Sequence, residues 1–264
     1  MYEFAYHRPA TIDEAVAALE AAGDGKLLAG GQTLIPTLKQ RLAAPTDLID
    51  LGAIPDLKGI RAEGSRILVG AGATHAEIAN AADIRDRIPA LADLAGGIGD
   101  PQVRNRGTIG GAIANNDPAA DYPAALLALG ATVRTNKREI AGDDFFTGLF
   151  ETALEPAEIV TAVAFPVPEA AAYASFRNPA SGYPIAGVMV ARGPAGTRVA
   201  ITGAGPCAFR SAEMESALAA NFSADALADI AIPADGLNAD IHASAAYRAH
   251  LVGVMARRAV AACG

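Results

Sequence analysis

Between residues 12 and 19 the apolar side chains fall at Ile12, Ala15, Val16 and Leu19, the three-and-four spacing of one helix face. Thr11 and Glu14 hold the positions of a capping box, and Gly23 is placed to stop the helix. The period then shortens. Lys26-Leu27-Leu28-Ala29 is a compact apolar run suited to a buried strand, Gly30-Gly31 breaks it, and Thr33 and Pro36 suit the first turn of a second helix. Residues 47–51 and 66–70 predict further strands, and Thr74 with Glu77 repeats the capping-box spacing before a short helix. A helix is predicted over 89–96. After it glycine and polar residues dominate to Asn116, an irregular stretch of the length that usually serves function inside a compact domain. Residues 121–129 return to a helical pattern, and 131–140 predict a hairpin turning at Asn136-Lys137. The texture then changes to strands in series at 159–165, 172–177, 185–192 and 198–203, which implies an antiparallel sheet, before helices at 211–220 and 244–262. The pattern predicts an α+β protein of three pieces, 1–56, 57–168 and 169–264.

Composition narrows the function classes. A net charge of −8 excludes a broad phosphate-neutralising surface, so no nucleic-acid partner is expected. The opening residues carry acids and lack a long apolar core, which predicts neither a signal peptide nor a transit sequence, and no run reaches the ~20 apolar residues of a membrane span. The expectation is a soluble, cytoplasmic protein. Cys207 and Cys263 lie far apart with no metal-ligand spacing, so no zinc or iron–sulfur site is expected in this chain. Four histidines without a spaced pair likewise point away from a catalytic metal, and His75 is expected at a helix start in a surface or capping role. No nucleophile–histidine–acid set stands out, and no catalytic side chain is assigned.

Two glycine loops carry the chemistry. Ala29-Gly30-Gly31-Gln32-Thr33 allows a tight turn with exposed N–H groups beside a helix start, good geometry for a phosphate, but it has neither the Rossmann nor the Walker spacing. The second loop, Arg104-Asn105-Arg106-Gly107-Thr108-Ile109-Gly110-Gly111-Ala112, is followed by Asn115-Asn116-Asp117-Pro118-Ala119-Ala120-Asp121. Basic side chains, backbone N–H groups and a hydroxyl suit a pyrophosphate, and Asp121 suits either sugar hydroxyls and ring N–H groups or an ordinary N-cap.

AGGQTLIPTLKQRLAAPTDLIDL, together with IGDPQVRNRGTIGGAIANNDPAADYPAALLALGATV, resembles the FAD-binding medium subunits of molybdenum hydroxylases, the family of the carbon monoxide dehydrogenase and xanthine dehydrogenase flavin subunits. The resemblance continues through DDFFTGLFETALEPAEIVTAVAFP and SFRNPASGYPIAGVMVA and covers essentially the full length. It implies a PCMH-type (vanillyl-alcohol-oxidase-like) FAD-binding fold, two α/β subdomains (1–56 and 57–168) clasping FAD, followed by a sheet-and-helix subdomain (169–264). By resemblance, Leu27, Leu28, Ala29, Gly30, Gly31, Gln32, Thr33 and Leu34 wrap the pyrophosphate together with Thr108, Ile109, Gly110, Gly111 and Ala112. Asp121 contacts the cofactor, Val160 meets the flavin ring through its backbone, Arg177 stands where relatives often carry a lysine near it, and Tyr183 lies beside the ring and controls access or else fills the sheet core. Asp100 and Asn115 replace histidines common in the family, which removes two titratable rings.

The same resemblance implies partners: a large subunit with the molybdenum cofactor and a small one with two [2Fe–2S] clusters, as a dimer of heterotrimers held against the inner face of a membrane, if at all, through those partners. Substrate would then be oxidised in another chain, and electrons would pass from the clusters to FAD and on to an external acceptor. Two competing readings are a self-contained FAD-dependent oxidase or dehydrogenase, for which the residues after 169 offer little room for a substrate domain, and a dinucleotide-binding scaffold without redox use.

Overall fold

The protein, described over residues 1–263 by a computed structural model, opens with a small parallel sheet. β1 (Ala5–His7), β2 (Gly25–Leu28) and β3 (Asp47–Asp50) pair in the order β1-β3-β2. Parallel neighbours need crossovers, here α1 (Ile12–Ala21) and α2 (Leu34–Lys39). Thr11 caps α1 by accepting from the Glu14 amide, while the Glu14 carboxylate reaches back to the Ala10 N–H, one residue before the position a capping box requires. The helix ends at Ala21 with Ala22 extended, so Gly23 is not its stop.

A five-stranded antiparallel sheet follows. It contains β4 (Ile60–Glu63), β5 (Arg66–Gly70), β6 (Thr132–Thr135), β7 (Glu139–Ala141) and a late strand, β10 (Val160–Pro166), in the order β4-β5-β10-β6-β7. Between β5 and β6 the chain forms α3 (His75–Asn80), α4 (Ala82–Arg87), α5 (Pro89–Gly96), α6 (Pro101–Arg104), α7 (Ile109–Asn115) and α8 (Tyr122–Leu129). Thr74 and Glu77 form the complete capping box of α3. After β7 come a single turn, α9 (Gly142–Phe145), and a tight hairpin, β8 (Phe146–Gly148) with β9 (Glu151–Thr152). Two expectations change here. The stretch after α5 is not irregular throughout, because Asp100 and Thr108 accept from the Val103 and Gly111 amides and so cap α6 and α7. And β10 does not begin the C-terminal series; it inserts between β5 and β6.

The last sheet is antiparallel, β11 (Ala170–Arg177), β12 (Pro184–Gly193), β13 (Gly196–Thr202) and β14 (Phe209–Arg210), with α10 (Ala212–Ala220) and α11 (Ala245–Ala262) on one face. Its two faces serve two cores. Val188, Val190, Val199 and Ile201 pack with Val252, Met255 and Ala256 of α11, whereas the alternate residues Met189, Ala191 and Ala200 join the core that holds α8. α8 is thereby buried at all eight positions, between this sheet and β10. Burial of Leu126, Leu127 and Leu129 contributes roughly 1.5–3 kcal/mol each, which fixes the start of α8, and with it Asp121, against the third sheet. No helix among the described residues is long and apolar enough to cross a membrane.

Candidate functional site

The two glycine loops meet. A Cβ placed on Gly30 would stand 2.7 Å from Gly107 Cα and nearer still to the Arg106 carbonyl oxygen, so only glycine lets the first loop lie against the second. At Gly31 the chain turns through φ +73°, a left-handed conformation that glycine adopts without penalty. The second loop is in turn stitched to the connection between β5 and α3: His75 N–H donates to Gly107 O at 3.0 Å, Ile109 N–H to Ala73 O at 3.1 Å and Gly110 N–H to Ala71 O at 2.9 Å.

Where the loops meet, a cleft of about 720 Å³ opens between the parallel sheet and the five-stranded sheet, within the ~300–1,000 Å³ range of small-molecule and cofactor sites. The two loops contribute differently to it. Among the described residues, the amides of Gly31, Gln32, Thr33 and Leu34 have no acceptor in the chain, leaving a row of donors for an anion. In the second loop the amides of Ile109, Gly110 and Gly111 are already bonded, the last to Thr108 Oγ1 at 3.2 Å, so that loop supplies shape more than free donors. Lys58 and Arg106 line the cleft with no ion pair among the described residues, and Lys26 has only Asp24 at 3.5 Å. The lining also carries the carboxylates of Glu77, Asp117, Asp121 and Glu158.

Asp121 sits on the cleft wall, 5% exposed. The N-cap reading fails: its backbone is already helical and its side chain caps nothing. Its Oδ1 instead accepts from Tyr173 Oη at 2.7 Å and from Arg177 Nη2 at 2.9 Å. Burial raises the Asp121 pKa, and the Arg177 charge with the two hydrogen bonds opposes that rise. His75 also departs from expectation. It is a helix-start residue but buried, with Nδ1 3.2 Å from Tyr122 Oη and its ring against Gly107, and burial, aided by the Arg104 charge, lowers its pKa to about 4. It is therefore a neutral ring in the cleft wall.

Tyr183 and Phe150 stand at the rim, both about half exposed. Tyr183 lies outside the sheet core, on the turn after β11. Phe150, at the tip of the β8–β9 hairpin, has φ +55°, unfavourable for a bulky side chain. Buried Asn116 holds that hairpin in place, its Nδ2 donating to Gly148 O at 2.9 Å and Glu151 O at 2.7 Å.

Of the residues singled out from sequence, Leu27, Ala29 to Leu34, Thr108, Gly110, Gly111, Ala112, Asp121, Val160 and Tyr183 all line the cleft. Leu28, Ile109 and Arg177 do not. Leu28 packs toward Gly31, Ile109 is fully buried in the core, and Arg177 reaches the cleft only through Asp121. Not singled out as lining residues were Lys26 and Lys58, Phe150 and Leu154, the last two inside a segment that carries the resemblance, and His75, for which a partner 47 residues away leaves no local spacing. Among the described residues no cluster of His, Cys, Asp or Glu is arranged to hold a metal. Both cysteines are half-buried, with thiol pKa values raised by burial, Cys263 to about 11.

A donor-lined cleft between a parallel and an antiparallel sheet, closed by two abutting glycine loops, defines an α+β cofactor-binding protein. Residues 2–168 match the family model described as FAD binding domain in molybdopterin dehydrogenase, and the chain belongs to that family. It is 37% identical to the carbon monoxide dehydrogenase medium chain of Hydrogenophaga pseudoflava (97% of this chain, 96% of that protein) and 35% identical to the nicotine 6-hydroxylase medium subunit of Paenarthrobacter nicotinovorans (98% and 96%). Its fold superposes on reconstituted CO dehydrogenase from Oligotropha carboxidovorans with a TM-score of 0.91 at 34% identity, covering 99% of this chain and 97% of that one. With quinoline 2-oxidoreductase from Pseudomonas putida 86 the TM-score is 0.89 at 26% identity, covering 99% and 96%. The fold is the PCMH-type FAD-binding fold.

Proposed function

We propose that this chain is the FAD-carrying electron-transfer subunit of a heterotrimeric molybdenum hydroxylase, taking electrons from the [2Fe–2S] clusters of a small subunit and passing them to an external acceptor while a large subunit with the molybdenum cofactor oxidises the substrate. The observation that carries it is the row of unbonded amides from Gly31 to Leu34 facing a glycine-walled second loop, with buried Asp121 further along the same cleft. Relatives matched along nearly their whole length are medium chains of CO dehydrogenase and nicotine 6-hydroxylase, which supports both the assembly and a substrate site in another chain. In this reading residues 1–56 and 57–168 are the clasping subdomains and 169–264 the third, each with its own sheet.

The residues present fit a flavin dinucleotide. Gly31 to Leu34 N–H groups would bind the pyrophosphate, helped by Arg106 and the nearby lysines, while Gly110, with no room for a Cβ, lets the start of α7 lie against Ala71 on the facing wall. Asp121 accepts from ribityl hydroxyls or ring N–H groups, Val160 lies against the ring, and Tyr183 and Phe150 exclude water at the rim. When bound, FAD supplies a centre that takes electrons singly and stores two. The chain's task is to hold that centre within reach of a partner; no side chain is assigned a proton. A cytoplasmic location and a dimer of heterotrimers belong to the same proposal.

An affinity pull-down of the chain from its native host, with a visible spectrum and metal analysis of what co-purifies, tests it. Flavin bands with molybdenum and iron are expected; flavin alone, with substrate turnover by the isolated chain, overturns it in favour of a self-contained oxidase.

A further inference from the structure

Arg177 closes β11, and its guanidinium divides its bonds. Nη2 donates to Asp121 Oδ1 at 2.9 Å, while Nη1 donates to the Gly182 carbonyl at 2.8 Å. Gly182 belongs to the turn that leads to Tyr183, closed by Gly182 N–H to Asn178 O at 2.8 Å, Asn178 N–H to Tyr183 O at 2.9 Å and Ala180 N–H to Asn178 Oδ1 at 2.9 Å. Room has been made for this arrangement. A Cβ on Gly97, after α5, would stand 3.0 Å from Arg177 Nη2, and one on Gly187 would overlap the Tyr173 hydroxyl. Two backbone positions without side chains thus let two donors converge on one oxygen of Asp121. Among the described residues no other side chain or amide donates to the second oxygen, Oδ2, and Asp121 lines the cleft.

We propose that Arg177 is a positioning residue that couples the ligand-facing carboxylate of Asp121 to the Asn178–Tyr183 turn, so that occupation of the cleft and the setting of its aromatic rim are linked. This deepens the reading of the cleft as a flavin site and rests on it. The planar fork is what makes the link: guanidinium holds a carboxylate and a carbonyl at once in fixed directions, whereas a lysine ammonium is a single mobile point that keeps the charge opposite Asp121 without the second bond. The link also explains why Arg177 does not line the cleft.

Amide hydrogen exchange of the peptide spanning residues 178–183, measured on the full chain with and without FAD, tests the coupling. In the flavin-free wild type the turn is expected to exchange slowly, and adding FAD slows it further. Arg177→Lys is expected to speed exchange about tenfold, the loss of one charge-assisted bond, and to abolish the slowing by FAD while still binding FAD. Asp121→Asn, 56 residues away, is expected to speed exchange in the same turn in the flavin-free chain, and Tyr183→Ala to leave that exchange unchanged. Wild-type exchange in both Arg177→Lys and Asp121→Asn overturns the coupling, as does undiminished slowing by FAD in Arg177→Lys. Failure of the wild type to bind FAD is a separate result: it overturns the flavin reading and leaves the flavin-free comparison to decide the clamp.

Discussion

Gly30→Ala isolates the contact between the two loops. The backbone at Gly30 is not left-handed, so alanine meets no conformational penalty there, only lack of space. The added methyl would lie 2.7 Å from Gly107 Cα and 2.8 Å from the Arg106 carbonyl carbon, against about 3.5–4.0 Å for an unstrained carbon pair. The loops must separate by roughly 1 Å, and overpacking of this kind costs about 1–3 kcal/mol of stability. The displaced segment is the one carrying the open amides. Losing one hydrogen bond to a charged phosphate, about 1.5–3 kcal/mol, weakens FAD binding some 10- to 100-fold. Titration of flavin-stripped protein with FAD gives the dissociation constant, and urea unfolding gives the stability. Gly23→Ala is the control, since its methyl would meet nothing nearer than Thr46 Oγ1 at 3.8 Å and should leave affinity unchanged. Wild-type affinity in Gly30→Ala would refute the claim that the abutting loops set the amide row.

Replacing Phe150 by glycine relieves its left-handed backbone and is expected to raise stability by about 1 kcal/mol in urea while weakening FAD binding by removing an aromatic rim. Asn116→Ala removes both bonds to the hairpin, so faster hydrogen exchange at residues 148–151 is expected. Buried His75 titrates at about 4 instead of 6.5, so its stabilising contribution is complete above pH 6.5 and is lost as pH falls through 4. Its NMR signals should be those of a neutral ring at pH 5.5, and His75→Gln should flatten stability between pH 6.5 and 4. For Glu158, bonding to Arg138 lowers the carboxyl pKa to about 2 from 4.5, so its contribution is present above pH 4.5 and disappears toward pH 2. Glu158→Gln is expected to reduce the difference in melting temperature between pH 6 and pH 3.

The elements legible from sequence were those whose signals are local. The glycine pair after a short apolar run marked the first loop, and the period-3.6 segments of α5 and α8 emerged at their observed bounds, give or take a capping residue. β1 and β4 escaped because three or four half-exposed residues show no alternation. The capping of α7 by Thr108 was hidden by a glycine pair inside the helix, which composition alone reads as a turn. The motifs marked most of the cleft's glycine walls. Of its rim, Tyr183 was marked by the resemblance, whereas Phe150 was not singled out, because it is placed by Asn116 through contacts 32 or more residues apart and by a left-handed backbone.

The position of β10 has a consequence for how the chain comes off the ribosome. Until residue 166 has emerged, β5 and β6 each present an unsatisfied edge, and the cleft wall that includes Val160 does not exist. A nascent chain of about 150 residues therefore carries both glycine loops with no site for them to enclose, and a stalled or clipped product of that length is exposed to strand-edge aggregation. Flavin capture is therefore expected only after this seven-residue strand has emerged, late in synthesis.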